Sequence, residues 1–148
     1  MVNGYDRITK VALVSSDNRQ DAVRRSINLL EINPVQNKNV ILKPNFNTAV
    51  PSPGSTPPDT LLELILYLKE MGAAKITLCE RSGPVDSDSV MKELGVFDLA
   101  KKHDIEIVNI DRLPKEDLVK INPPGSHWED GFLVPKIISD AEAIVTTP

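Results

Sequence analysis

The fold is decided by residues 40–83, VILKPNFNTAVPSPGSTPPDTLLELILYLKEMGAAKITLCERSG. A short apolar run, residues 40–42, leads into a long loop that is broken by prolines, and a second apolar run follows at residues 76–78. Between the loop and the second run, apolar side chains recur at helical spacing. They are Leu61, Leu64, Ile65, Leu68 and Met71. This stretch predicts a strand, a helix and a second strand parallel to the first.

The same alternation extends along the chain and predicts its fold class. Apolar runs at residues 11–14, 40–42, 76–78, 105–110 and 143–145 read as strands. Strands that are apolar on both faces and alternate with helices form a parallel sheet covered on both sides. We therefore expect a single α/β domain over residues 1–148, a Rossmann-like three-layer sandwich with a mainly parallel sheet of about five strands.

Three helical regions and one irregular region complete this prediction. Val23 and Ile27 mark a first helix, and a third helical region, residues 88–103, is expected to break near Gly95. In the second helix Thr56 is the expected N-cap and Gly72 the expected end. Between residues 113 and 138 the pattern weakens, and residues 118–121 and 132–134 are expected to form a short hairpin.

Composition excludes several classes of protein. The net charge of −4 offers no basic surface of the kind that nucleic acid requires. One cysteine, Cys79, permits neither an internal disulfide nor a cysteine-only metal cluster. No stretch approaches the ~20 apolar residues of a membrane span, and the first apolar run is too short for a signal-peptide core. We expect a cytoplasmic protein that binds neither nucleic acid nor membrane.

The loops place the expected binding site at one end of the sheet. Turns that precede predicted strands are tight, whereas residues 44–56 and 81–87 follow strands as long loops rich in Gly, Pro and Ser. Open α/β sheets bind ligands beyond the carboxyl ends of their strands. Lys43 and Asn45 would there present a cation and an amide to an anionic or carbonyl-bearing ligand. The alternative is that Lys43 is a solvated residue at a strand end.

Further candidate residues lie on the same loops. Ser55 and Thr56 lead into a helix N-terminus, which favours anions, although both residues can serve only as caps. Glu80 ends the neighbouring strand and can act as a general base, a metal ligand or an ion-pair partner of Lys43 or Arg81. The polar loop side chains that complete the expected ligand-binding set are Asn47 and Ser82. Neither loop matches a Walker or G-x-G-x-x-G nucleotide motif.

Other potentially reactive residues have structural interpretations. Cys79 lies on a predicted strand and is expected to be a small buried side chain. His103 follows two lysines at a helix C-terminus, where a partly positive imidazole is favourable. Residues 127–130, HWED, are expected to form a surface loop with a packed tryptophan, because adjacent acidic and imidazole groups alone do not make a metal site.

Residues 40–83 resemble the opening of the domain-of-unknown-function 362 family, in which a strand ends in Lys-Pro-Asn and a later strand ends in Glu. Residues 91–111 and 134–148 fit the continuation. Many members of the family carry a fused, ferredoxin-like cysteine module, which this chain lacks, so its cofactor is unknown. Family members continue beyond the last strand, whereas this chain ends at Pro148. The resemblance therefore implies the N-terminal portion of a longer domain.

Two functions are consistent with these observations. The first is a domain that binds a small anionic or carbonyl-containing metabolite, as part of a redox or metal-assisted enzyme. Lys43 and Glu80 would be its catalytic residues. The second is a non-catalytic module that binds a ligand or docks onto an iron–sulfur or redox partner protein through its long loops.

Overall fold

A computed structural model describes residues 9–147. The prediction that concerns Pro148, that this chain is the N-terminal portion of a longer domain, lies outside these residues. Helices and strands alternate along most of the chain. The helices are α1 (Arg19–Leu29), α2 (Pro58–Glu70), α3 (Ser87–Glu93), α4 (Val96–Lys102) and α5 (Lys136–Ser139). The strands are β1 (Asn39–Lys43), β2 (Lys75–Glu80), β3 (Glu106–Asn109), β4 (Leu118–Ile121), β5 (Phe132–Pro135) and β6 (Ala143–Thr146).

Four of these strands form one parallel sheet in the order β3-β2-β1-β6. Strand β1 lies inside the sheet and is hydrogen-bonded on both edges, with Leu42 opposite Leu78 of β2 and Val145 of β6. Its central residues are apolar on both faces and buried, as a strand covered on both sides requires. The predicted α/β class and Rossmann-like arrangement are confirmed, with four strands in the sheet.

One face of the sheet carries the main apolar core. Alternate residues of β1 and β2, including Val40 and Leu78, pack against side chains of α2, α3 and α4. The stripe predicted for α2 is the centre of this core, because Leu61, Ile65 and Leu68 are almost completely buried. The helical periodicity of α2 therefore identified the helix side of this interface correctly.

Helix α1 lies beside α2 and is held there by ion pairs as well as by apolar packing. Arg24 forms ion pairs with Glu63 and Glu70 of α2 and stacks over the ring of Tyr67, 4.7 Å from its centroid. Arg19, at the N-terminus of α1, pairs with Asp59 at the N-terminus of α2. No residue of α1 is fully buried. The two helices are therefore parallel, and ion pairs add to an apolar contact in which Val23 and Ile27 of α1 pack against the core.

The third helical region divides where the sequence predicted. Gly95 has φ +71°, a left-handed conformation that costs glycine little, and it separates α3 from α4. Val90 and Met91 before the break, and Val96 and Ala100 after it, are all buried. The break lets two short helices follow the core where one straight helix would leave it.

The connection from β3 to β6 crosses the opposite face of the sheet. Ile137 of α5 and Asp140 line a cavity of about 450 Å³ together with Ile41 and Thr77, whose side chains point away from the main core. This connection contains β4 and β5, which pair antiparallel as the sequence predicted. Because β6 lies on the other side of β1 from β2, the direction of winding reverses between β1 and β6.

The predicted first strand, residues 11–14, is not a strand. The segment is not hydrogen-bonded to the sheet, and Val11 and Leu13 are 87% and 94% exposed. Its flanks are tied to α1 instead. Lys10 donates to Leu30 O, and Ser16 contacts the N-terminus of α1 through Asn18 and Asp21. An apolar run gives a segment strand propensity, but a strand also needs a paired neighbour.

Within residues 9–147, no helix combines the length and the apolar character that crossing a bilayer would require.

The core predicts a sharp contrast between two leucines. Leu78 is fully buried, so Leu78→Ala should lower the free energy of unfolding by about 2–5 kcal/mol through lost transfer energy and a residual cavity. Leu133, in the exposed part of β5, is the matched control, and Leu133→Ala should change stability by less than about 0.5 kcal/mol. Urea unfolding followed by circular dichroism measures both. Equal effects would contradict the assignment of the core.

Candidate functional site

The direction of winding reverses between β1 and β6, and open α/β sheets bind ligands beyond the carboxyl ends of the strands at such a topological switch point. Lys43 is the last residue of β1 and is paired in register with Thr146 of β6. Thr147 N–H donates to Lys43 O at 3.1 Å and continues the pairing beyond the strands. The predicted residue Lys43 therefore lies at the topological switch point.

Lys43 and Glu80 form an ion pair across the ends of β1 and β2. Lys43 Nζ lies 3.0 Å from Glu80 Oε2 and 3.4 Å from Pro44 O. The Lys43 side chain is 40% exposed, whereas the Glu80 side chain is 2% exposed. Of the roles considered for Glu80, the ion pair with Lys43 is the one the structure contains. Arg81 pairs with Asp111 instead.

Burial controls the protonation of Glu80. Removal of the carboxyl group from water raises its pKa, and the Lys43 ammonium and the N–H groups of Arg81 and Phe46 offset part of this rise. A carboxyl group whose pKa is raised can exchange a proton closer to neutral pH than an ordinary one. Lys43 thus links a buried acid to the solvent.

Asn47 and Ser82 hold the two rim loops together. Ser82 Oγ donates to Phe46 O at 2.7 Å, and Gly83 N–H donates to Asn47 Oδ1 at 3.0 Å. A Cβ at Gly83 would lie 2.5 Å from Asn47 Oδ1, so a larger residue here would displace the Asn47 side chain from this hydrogen bond. Both residues belong to the predicted ligand-binding set, and the structure shows them bracing the loops around Glu80.

A third strand joins this network through residues that the sequence analysis did not identify. Ser87 Oγ accepts from Ser82 N–H at 2.8 Å and donates to Asp111 Oδ2 at 2.5 Å. Asp111 Oδ1 also accepts from Arg81 Nε at 2.9 Å. Hydrogen bonds thus run from the loop after β3 to the loop after β1, and they fix the backbone on both sides of Glu80. Side-chain contacts between such distant residues leave no pattern in one sequence.

Ser55 and Thr56 close the long loop after β1. Ser55 Oγ donates to Thr48 O at 2.6 Å. Thr56 Oγ1 accepts from Asn45 N–H at 2.9 Å and lies 3.0 Å from Thr147 O, to which it donates. Both side chains are buried. Their hydroxyl groups face inward although the residues line a cleft of about 560 Å³, and neither Lys43 nor Glu80 lines that cleft.

The N-terminus of α2 differs from the prediction. The N-cap is Pro57, not Thr56, and the helix begins at Pro58. Neither proline has an N–H group, and the N–H of Thr60 is bonded to the Asp59 carboxylate. Proline and aspartate in the first turn therefore remove much of the positive end that an anion would need. Ser55 and Thr56 lie near this end of the helix, but their hydroxyl groups are bonded to backbone groups of the protein and not directed at a ligand.

Two predicted residues keep polar groups that face outward. Lys43 has three N–H donors, two of which contact Pro44 and Glu80. The side-chain amide of Asn45 forms no hydrogen bond within residues 9–147, and the residue is half-buried. A ligand at the switch point can therefore be contacted by one ammonium donor and one amide without breaking the loop network.

The remaining candidates are structural. Cys79 is buried, and burial raises the pKa of its thiol to about 11, which suppresses the reactive thiolate. His103 is the C-cap of α4. The prediction of a packed tryptophan was wrong, because Trp128 is 66% exposed on its loop. In the described part of the chain, no three His, Cys, Asp or Glu side chains are grouped as metal ligands.

Comparison with known proteins gives one match. The model of a family described as "Domain of unknown function (DUF362)" matches residues 40–148, most of the chain. The match starts at β1, so α1 lies outside it. No curated protein and no solved structure matches this sequence.

The raised pKa of Glu80 predicts how stability depends on pH. The folded protein binds this proton more tightly than the unfolded chain does. Its free energy of unfolding should therefore fall, relative to Glu80→Gln, as pH rises from about 4.3 through the raised pKa of Glu80. Lys43→Met should extend this loss to higher pH, because the buried carboxylate then has no counter-ion.

Urea unfolding between pH 4 and pH 8 measures these differences. Removing one partner of a fully buried ion pair lowers the free energy of unfolding by about 3–5 kcal/mol. At neutral pH, Lys43→Met should lower it by less, because the Lys43 side chain is 40% exposed. Parallel pH profiles for the wild type and Glu80→Gln would show that Glu80 does not titrate in this way.

Ser87→Ala should loosen the rim loops. The substitution leaves Ser82 N–H and one oxygen of Asp111 without their partner and should cost about 1–3 kcal/mol. We expect faster hydrogen exchange at Ser82 N–H, measured by NMR. The exposed residue Ser139 is the matched control, and Ser139→Ala should change neither stability nor exchange. Unchanged exchange in Ser87→Ala would contradict the role of Ser87 as a brace.

Proposed function

The chain belongs to the DUF362 family, whose function is unknown, and we propose its function from the site. It binds a small anionic or carbonyl-containing metabolite at the carboxyl edge of the sheet. Lys43 and Asn45 contact the ligand, and Glu80 exchanges a proton with it. The observation that carries this proposal is the pair of a half-exposed Lys43 and a buried Glu80 at the topological switch point.

The two charged residues have separable parts in this function. The Lys43 ammonium attracts an anion or polarises a carbonyl oxygen, and the Asn45 amide adds a neutral donor beside it. Glu80 is held in place by the Lys43 ammonium, which lies 3.0 Å from its Oε2. Its raised pKa makes it a suitable proton acceptor and donor when the ligand reaches Lys43.

The loop network supports this proposal through rigidity. Ser82, Asn47 and Ser87 connect the loops that surround Glu80, and Thr56 connects the loop after β1 to the end of β6. A carboxyl group that transfers protons must be held within a fraction of an ångström of its productive position. A redox or metal-assisted step would rest on the family resemblance alone. The proposal therefore assigns Lys43, Asn45 and Glu80 only to ligand binding and proton exchange.

The second candidate is a docking module for a protein partner, which the family resemblance would make an iron–sulfur or redox protein. The observation that favours it is the apolar exposure of the hairpin region. Trp128 and Leu133 are 66% and 63% exposed, and Phe132 adds to the same region. Exposed aromatic side chains are typical of protein interfaces. On this alternative Lys43 and Glu80 would only stabilise the fold.

Ligand-dependent melting tests the proposal. Phosphate, simple carboxylates and 2-oxo acids should be added at constant ionic strength, and at least one class should raise the melting temperature of the full chain by mass action. Lys43→Ala should abolish this shift, and Asn45→Ala should reduce it. Differential scanning fluorimetry measures both effects.

Lys102 provides the matched control. It is exposed at the end of α4, just before the amino end of β3 and so away from the carboxyl ends of the strands. Lys102→Ala therefore removes the same charge without changing the site. The ligand shift should survive this substitution. No shift with any of the three ligand classes would refute the proposed function and favour the docking module.

A further inference from the structure

Thr146 lies beside Lys43 at the end of β6. The two residues are partners in the parallel register, and partners in a parallel pair project their side chains from the same side of the sheet. Thr146 is exposed, whereas the preceding and following residues, Val145 and Thr147, are half-buried. The Thr146 hydroxyl forms no hydrogen bond within residues 9–147. A lysine and a threonine with an exposed hydroxyl therefore end neighbouring strands at the switch point, and the Lys43 ammonium itself contacts Glu80.

The charge around this pair limits the ligand that it can take. Lys43 contributes one positive charge, which a bound anion would share with the Glu80 carboxyl group. Three other cations near the carboxyl ends of the strands or the start of α2 are paired with aspartates. These are Arg19 with Asp59, Arg81 with Asp111, and Arg112 with Asp86 and Asp88. A phosphate dianion would meet a nearly neutral surface, whereas a carboxylate needs only one cation and neutral donors.

We propose that Thr146 is a ligand-binding residue and that the site takes a carboxylate monoanion. One carboxylate oxygen lies between Lys43 Nζ and Thr146 Oγ1, and the Asn45 amide contacts the ligand from the loop after β1. This inference deepens the proposed function and rests on it. It assigns a residue that the sequence analysis did not identify, and it narrows the ligand from any small anion or carbonyl compound to a carboxylate.

Thr146→Val tests the hydroxyl alone, because valine has the same shape and is equally suited to a strand. A hydrogen bond from a neutral donor to a charged oxygen contributes enough that its loss should weaken carboxylate binding about tenfold or more. Thr9→Val is the matched control. Thr9 is exposed and precedes Lys10, which contacts Leu30 at the C-terminal end of α1.

The experiment is an NMR titration of the full-length, ¹⁵N-labelled chain with acetate, pyruvate and inorganic phosphate at constant ionic strength. The wild type and Thr9→Val should bind acetate or pyruvate more tightly than phosphate, with shifts at Lys43 and Thr146. Thr146→Val should bind the same carboxylate about tenfold more weakly. Amide spectra of the free variants establish that each one is folded.

The possible failures are distinct. Equal carboxylate affinity in the wild type and Thr146→Val would overturn the role of Thr146 while the proposed function stands. Tighter binding of phosphate than of both carboxylates, with loss in Lys43→Ala, would overturn the ligand class alone. No binding of any of the three probes by the wild type would overturn this inference together with the proposed function.

Discussion

Strand β1 is hydrogen-bonded on both edges, and this double pairing is the constraint on which the rest of the structure depends. It buries residues 40–42 from two sides and makes them the centre of the sheet. It also requires the chain to wind in one direction from β1 to β3 and then to return across the opposite face to β6. The topological switch point at the end of β1 results from that return, and Lys43 lies there because it is the last residue of the strand.

The parts of the fold that were predicted correctly are those that local periodicity determines. The helical stripe from Leu61 to Leu68, the break at Gly95 and the hairpin of β4 and β5 all depend on residues close in sequence. Residues 11–14 show the limit of this reasoning. Their apolar run resembles that of β1, but pairing depends on which strand edge is free nearby, and composition does not encode that.

The candidate site divides in the same way. Lys43 and Glu80 were identifiable because both end predicted strands, and parallel strands bring such ends together. The hydrogen bonds of Thr56 and Ser87 were not identifiable, because Thr147 lies 91 residues from Thr56 and Asp111 lies 24 residues from Ser87. A hydroxyl group on a Gly- and Pro-rich loop can hydrogen-bond to a ligand or to a neighbouring loop, and the sequence is the same in both cases. Only the three-dimensional partners distinguish the two roles.

The contacts of α1 have a consequence for how this family can vary. The helix lies outside the family match and contributes no fully buried side chain, yet Arg24 ties it to two glutamates of the matched region. Loss of this helix would expose the part of the core that Val23 and Ile27 cover and would leave Glu63 buried without its cation. Relatives that replace this helix should therefore carry a neutral or differently paired residue at the position of Glu63, a covariation between a buried charge and the helix that neutralises it.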